Sequence, residues 1–128
     1  MKEKRYFTLE EANKLLPAVQ VELTALQAVQ ARYAELYRSH AKLRRDNAPD
    51  EVLFGMESEM DFLQLQAKLN IDNITRTGAE LKDIETGLID FPAKKDGEDI
   101  LLCWKQGEKE ISHYHGLNDG FRGRRPIG

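Results

Sequence analysis

The side chains able to do chemistry crowd between Gly87 and Arg125. They are Asp90, Cys103, Glu108, His113, His115 and the arginines Arg122, Arg124 and Arg125, with the single tryptophan, Trp104, among them. His113 and His115 stand two apart in a run that reads as a strand, so both imidazoles point to one face. In that geometry His113 and His115 can share a divalent metal, with Glu108 or Asp90 as a carboxylate ligand from a neighbouring turn or strand. The competing reading needs no metal: His115 hydrogen-bonds Asp90 or Glu108 as a polar tie within a sheet. Asp90 is the odd residue of Leu88-Ile89-Asp90-Phe91. A carboxylate there is either solvated or buried with a cation, because an unpaired buried charge is costly. Lys82, His115 and Arg124 are its candidate partners, and a structural clamp is preferred over acid/base machinery. Cys103, beside Trp104 in an apolar run, reads as inert core, since a nucleophilic thiol needs a partly exposed, electropositive setting. The tail Gly120-Phe121-Arg122-Gly123-Arg124-Arg125 has two readings. It could grip an anion through a backbone nest and its arginines, or be pinned to the sheet by Phe121 and an arginine pair. No Walker, Rossmann or nucleophile-elbow pattern is present.

Composition narrows the classes further. The chain has 128 residues, 41% hydrophobic and 32% charged, which suits one domain built on long helices with a solvated face. A net charge of −3 supplies no global field for nucleic acid or anionic membrane, so the basic residues Arg44, Arg45 and Arg122 to Arg125 are read as local features. One cysteine excludes an internal disulfide. The charged start, Met1 to Leu16, has no apolar leader region, and no stretch approaches a membrane span. A cytoplasmic protein is expected.

Two long helices must carry the chemical stretch. Thr8-Leu9-Glu10-Glu11 is a capping box that opens the first. Pro17 is expected to kink this helix or to cut off Phe7 to Leu16 as a separate turn. An apolar seam runs Leu9, Ala12, Leu16, Val19, Leu23, Leu26, then Val29, Tyr33, Leu36, His40 and Leu43, heptad-like apart from a three-residue slip at Leu26. His40 on that seam reads as a half-buried or interface histidine. Asp46 to Asp50 breaks the helix. The second, Glu51 to Thr77, has an inner stripe through Leu53, Met56, Met60, Leu63, Ala67, Asn70 and Ile74. A further set, Phe62, Leu65, Leu69 and Ile71, needs another partner, either the carboxy-terminal unit or a second subunit. Gly78 is the expected left-handed residue past its end.

After Gly78 the periodicity shifts towards two. Ala79 to Asp83 is a short extended run, Leu88 to Phe91 a strand stopping at Pro92, and Asp96-Gly97 a hairpin turn. Ile100 to Trp104 reads as the central strand and Glu110 to His115 as the last, followed by a Gly/Arg-rich tail.

Leu81-Lys82-Asp83, Gly87-Leu88, Asp90-Phe91-Pro92, Leu102-Cys103-Trp104, Gly107-Glu108, His115 and Gly120-Phe121 with Gly123-Arg124 resemble the DUF2203 family of small bacterial proteins of unknown function, as does the opening Phe7 to Pro17. Tyr114 stands where that family usually has Trp. The resemblance covers nearly the whole chain and implies no activity.

The expectation is an α+β protein, a single domain over residues 1–128. A long antiparallel helical hairpin (1–78) is followed by a small three-stranded antiparallel β-meander with its tail (79–128). The expected function is a non-enzymatic interaction or scaffold module that self-associates as a dimer through its long helices and presents the sheet as a recognition head. A protein partner fits this reading; membrane and nucleic acid do not. The alternative is a metal-binding protein or metal-dependent enzyme using the Asp/Glu/His cluster, with Asp90, Glu108, His115 and Arg124 as the candidate functional group and His113, His115 and Glu108 as metal ligands. No cofactor is expected under the first reading, and a divalent metal under the second.

Overall fold

Residues 4–128 are described by a computed structural model; the charged start, Met1 to Glu3, lies outside them. Thr8 caps the first helix, α1 (Leu9–Arg45): its hydroxyl accepts the Glu11 amide at 3.1 Å and the Glu11 carboxylate accepts the Thr8 amide at 2.8 Å. Thr8→Ala removes the hydroxyl that accepts the Glu11 amide, while the backbone amide of residue 8 can still donate to Glu11; it is expected to cost about 1 kcal/mol, read as a lower urea midpoint at unchanged slope.

α1 runs unbroken through Pro17, so the separate first turn expected from the sequence does not form. Ala12, Leu16, Val19 and Leu23 are buried on both sides of the proline against the sheet, and that packing outweighs one lost helical hydrogen bond. Leu9, expected on the seam, is 36% exposed. After Asn47 turns the chain at φ 59°, α2 (Asp50–Thr75) runs back alongside. Glu22 accepts from Asn70 and Asn73, Arg32 grips Glu59 at 2.9 Å, and His40 Nε2 lies 3.8 Å from Glu57. Gly78, at φ 97°, then sends the chain into the sheet.

Among the described residues the sheet has five antiparallel strands in chain order, where three were expected. They are β1 (Glu80–Asp83), β2 (Leu88–Lys95), β3 (Glu98–Lys105), β4 (His113–Gly116) and β5 (Arg125–Pro126). The run after Gly78 is thus a true strand, and the tail returns to pair with β4. β3 is central, as expected. β2 does not stop at Pro92. The Phe7 amide donates to the Pro92 carbonyl at 2.7 Å, so this residue's backbone faces away from β3 and its missing N–H costs no ladder bond. The last long strand is shorter than Glu110 to His115, because the Ile111 amide is drawn off to Asn13 Oδ1 on α1 at 2.8 Å.

Alternation divides the sheet. Ile89, Phe91, Ala93, Leu102 and Trp104 face α1 and form the core with Phe7, Leu16, Leu23 and Ile74. The opposite face carries Asp90, Cys103 and His115. That core reaches only as far as Leu23 along α1; beyond it Leu26 and Leu36 of α1 and Leu63 of α2 are the buried side chains. Among the described residues no helix is long and apolar enough to cross a membrane.

Candidate functional site

The hairpin between β2 and β3 sets the site. Asp96 (φ 52°) and Gly97 (φ 82°) both adopt positive φ, making a two-residue turn that pairs Lys95 with Glu98. Counting back along both strands places Asp90 opposite Cys103, on the face turned away from the helices. β4 then pairs Leu101 with His115 and so brings the imidazole onto the same face.

His115 and Asp90 are 4% and 2% exposed, and His115 Nε2 lies 3.1 Å from Asp90 Oδ2. His115 Nδ1 is 2.7 Å from the Gly116 carbonyl, which can only accept, so Nδ1 carries a proton. Nε2 and Oδ2 then share one further proton. Asp90 Oδ1 is buried with no hydrogen-bond partner. Cys103 is buried beside it, its thiol next to the Asp90 carboxylate and also close to the Arg124 guanidinium, and ligand atoms of Asp90, Cys103 and His115 lie within 4.8 Å of one another. Burial pushes the Asp90 carboxyl above its ordinary range, against the pull of His115. Burial and the Asp90 charge push the Cys103 thiol up to about 12, too high for a nucleophile at neutral pH. Leu88, Leu101, Leu117, Gly120, Phe121 and Lys82 enclose a cavity of about 160 Å³ over the three.

A second cluster stands nearby. Arg124 donates to both oxygens of Glu108, at 3.0 and 2.7 Å, and its guanidinium stacks 4.5 Å from the Phe121 ring centre. Glu108 also accepts the Lys105 amide at 2.7 Å, and its carbonyl accepts the Trp104 indole N–H at 2.9 Å. The Arg124 charge holds the Glu108 carboxyl below its ordinary range. Asp119 shapes the tail loop: it accepts the Gly116 amide at 3.1 Å, and a Cβ on Gly116 or Gly123 would come within 2.7 or 2.6 Å of its side chain.

The sequence-predicted residues therefore form two groups. Asp90 meets His115, while Arg124 meets Glu108 and not Asp90. His113 is set apart, its Nδ1 3.8 Å from Glu108 and 3.0 Å from the Ser112 hydroxyl. His113, His115 and Glu108 do not converge as a ligand set, because His115 turns to Asp90 and Glu108 is held by Arg124. Cys103, read from the sequence as inert core, completes the buried triad. The signal for it was the two-residue turn, which fixes it opposite Asp90. A larger cleft, about 520 Å³, lies between residues 6–9 and the sheet; it is mostly apolar, and Lys95 and Tyr114 in its wall satisfy each other at 2.9 Å.

The family model described as "Uncharacterized conserved protein (DUF2203)" matches residues 5–127, nearly the whole chain. The chain belongs to the DUF2203 family. No curated protein and no solved structure matches this DUF2203 chain. Its candidate site thus rests on the geometry of the paired β2–β3–β4 strands and the Phe121–Arg124 tail.

Proposed function

We propose that this DUF2203 protein is a non-enzymatic interaction module that self-associates through the outer face of α2, holding the sheet as a rigid head. The observation that carries the reading is the apolar stripe Phe54, Phe62, Leu65 and Leu69, which are 71%, 59%, 68% and 55% exposed. With Ser58 these residues recur at spacings of four and three, an a/d-type seam on the side of α2 opposite Leu63 and Ile74. A seam of that size left in water favours a protein partner.

Charge selects a second copy in antiparallel orientation. Asp61 and Lys68 lie on one flank of the stripe, seven residues apart. Two copies related by a two-fold axis near Leu65 set Asp61 against the partner's Lys68 twice and pack Phe62 beside the partner's Leu65. A parallel pair sets the same two charges against the neutral Gln66 and Asn73.

Light scattering of the purified protein at tens of micromolar is expected to give twice the 14.7 kDa of one chain. Leu65→Glu is expected to reduce it to the monomer, with helicity retained. Asp61→Lys weakens the dimer, and adding Lys68→Asp restores it. A wild-type monomer at that concentration, or a dimer indifferent to Leu65→Glu, overturns the reading.

A further inference from the structure

Three lone-pair donors of different chemistry converge beneath the tail loop, and one of them has nothing to bind. Asp90 Oδ1 is buried and without a hydrogen-bond partner, a costly state that calls for an explanation. His115 donates Nδ1–H to the Gly116 carbonyl, which leaves Nε2 turned towards Asp90 and Cys103. That is the arrangement in which metal-binding histidines are oriented: one ring nitrogen anchored on a carbonyl, the other free to ligate. Nε2 and Oδ2, at 3.1 Å, already stand close to the roughly 3.3 Å that separates two ligands bound at about 2.0–2.1 Å on a tetrahedral ion. The whole set, within 4.8 Å, needs a contraction of about an ångström to close on one centre.

We propose that Asp90, Cys103 and His115 form a zinc site, with three protein ligands and a fourth position open to the cavity under Leu117 and Phe121. Thiolate and imidazole with a single carboxylate suit zinc, whereas magnesium and calcium favour all-oxygen shells. On binding, the thiol proton and the proton shared by Asp90 and His115 leave to solvent, and the Zn–S, Zn–N and Zn–O bonds take their place. The ion engages the Asp90 carboxylate directly, where Oδ1 has no hydrogen-bond partner and Lys82 acts only from the cavity wall. The cavity of about 160 Å³ has room for a water at the fourth position. The site is independent of self-association through α2 and uses a ligand set different from His113, His115 and Glu108.

Cobalt(II), used as a spectroscopic stand-in for zinc, tests the assignment on the full chain. Titration into metal-free wild-type protein is expected to saturate at one cobalt per chain. The spectrum should show intense tetrahedral visible bands and a near-ultraviolet thiolate charge-transfer band, and one equivalent of zinc should displace both. Cys103→Ser, nearly isosteric and checked for folding by circular dichroism, is expected to abolish the charge-transfer band. His115→Ala is expected to weaken zinc binding by about 100-fold or more in competition with a chromophoric chelator. His113→Ala is expected to leave affinity and spectrum unchanged. No charge-transfer band in wild-type protein overturns the proposal, as does a band that survives Cys103→Ser or affinity lost equally in His113→Ala. Because the first readout is on unaltered protein, misfolding of a variant cannot decide the outcome.

Discussion

Trp104→Ala is expected to lower folding stability by about 3–5 kcal/mol, a large share of what a domain of this size holds. Trp104 is 1% exposed and among the largest fully buried side chains, on the face of β3 that packs against α1. Truncation leaves a cavity between sheet and helix that neither can close, since Ile89 and Phe91 on one side and Leu16 and Val19 on the other are already at close quarters. It also strands the Glu108 carbonyl, which accepts the indole N–H at 2.9 Å. The thermal midpoint should fall by roughly 10–20 °C. Trp104→Phe keeps most of the ring and loses mainly the hydrogen bond, so its cost should be well under half as large. Since this is the only tryptophan, the measurement needs circular dichroism or calorimetry. A loss below 1 kcal/mol in Trp104→Ala would contradict the packing of the sheet on α1.

Arg124→Ala comes second, at about 1–2 kcal/mol, more than an exposed ion pair and less than a fully buried one. The pair is bidentate, and the two side chains keep 16% and 23% of their exposure. The same substitution removes the guanidinium stacked on Phe121, leaving only the more distant Lys105 ammonium over that ring, so the tail should loosen from β4 and exchange its amide hydrogens faster. The pH dependence has a definite sign. Arg124 holds the Glu108 carboxyl below its ordinary range. The contribution is therefore complete above the unfolded glutamate value and is lost as pH falls through the lower, folded one. A double-mutant cycle of Arg124→Ala with Glu108→Gln should give its full coupling at pH 7, a falling one below the ordinary glutamate range, and little once pH is below the folded value. Coupling that is flat across that window would mean that the pair does not titrate as a unit.

How much of this could be read from the chain follows from which interactions are local. The capping box, Gly78 and the Asp96-Gly97 turn are short-range signals, and each appears where the sequence places it. The hairpin turn carried more than was taken from it: a two-residue loop fixes the register, so Asp90 opposite Cys103 was already implied. The pairing of His115 with Leu101 was not, because the connection from Lys105 to His113 is long and its path depends on Asn13 capturing the Ile111 amide from a distant helix. β1 was legible only as an extended run, and β5 not at all, for a related reason. Glu80-Leu81-Lys82-Asp83 offers one apolar side chain to the core, and Arg125-Pro126 offers none, so both are strands only because a neighbour's edge is there to receive them. Pro92 misled in the opposite direction, since a proline stops a strand only where its missing donor faces a partner.

The amide of Phe7 bound to the Pro92 carbonyl has a consequence for how the molecule behaves in a crowd. β1 pairs with β2 only as far as Asp90, which leaves the outer edge from Phe91 to Lys95 without a strand beside it. Such an edge is a template on which another chain can add by backbone pairing, the first step of ordered aggregation. Here Phe7 occupies it, its ring set edge-on to Phe91 at 5.3 Å, while Tyr6 reaches over to Asp99 at 3.1 Å. At the far side the sheet ends in a two-residue strand containing a proline, too short to recruit anything. The segment before α1 therefore covers the stretch of β2 that β1 leaves open, and the same hydrogen bond that lets a proline sit inside β2 occupies the edge on which a further strand would pair.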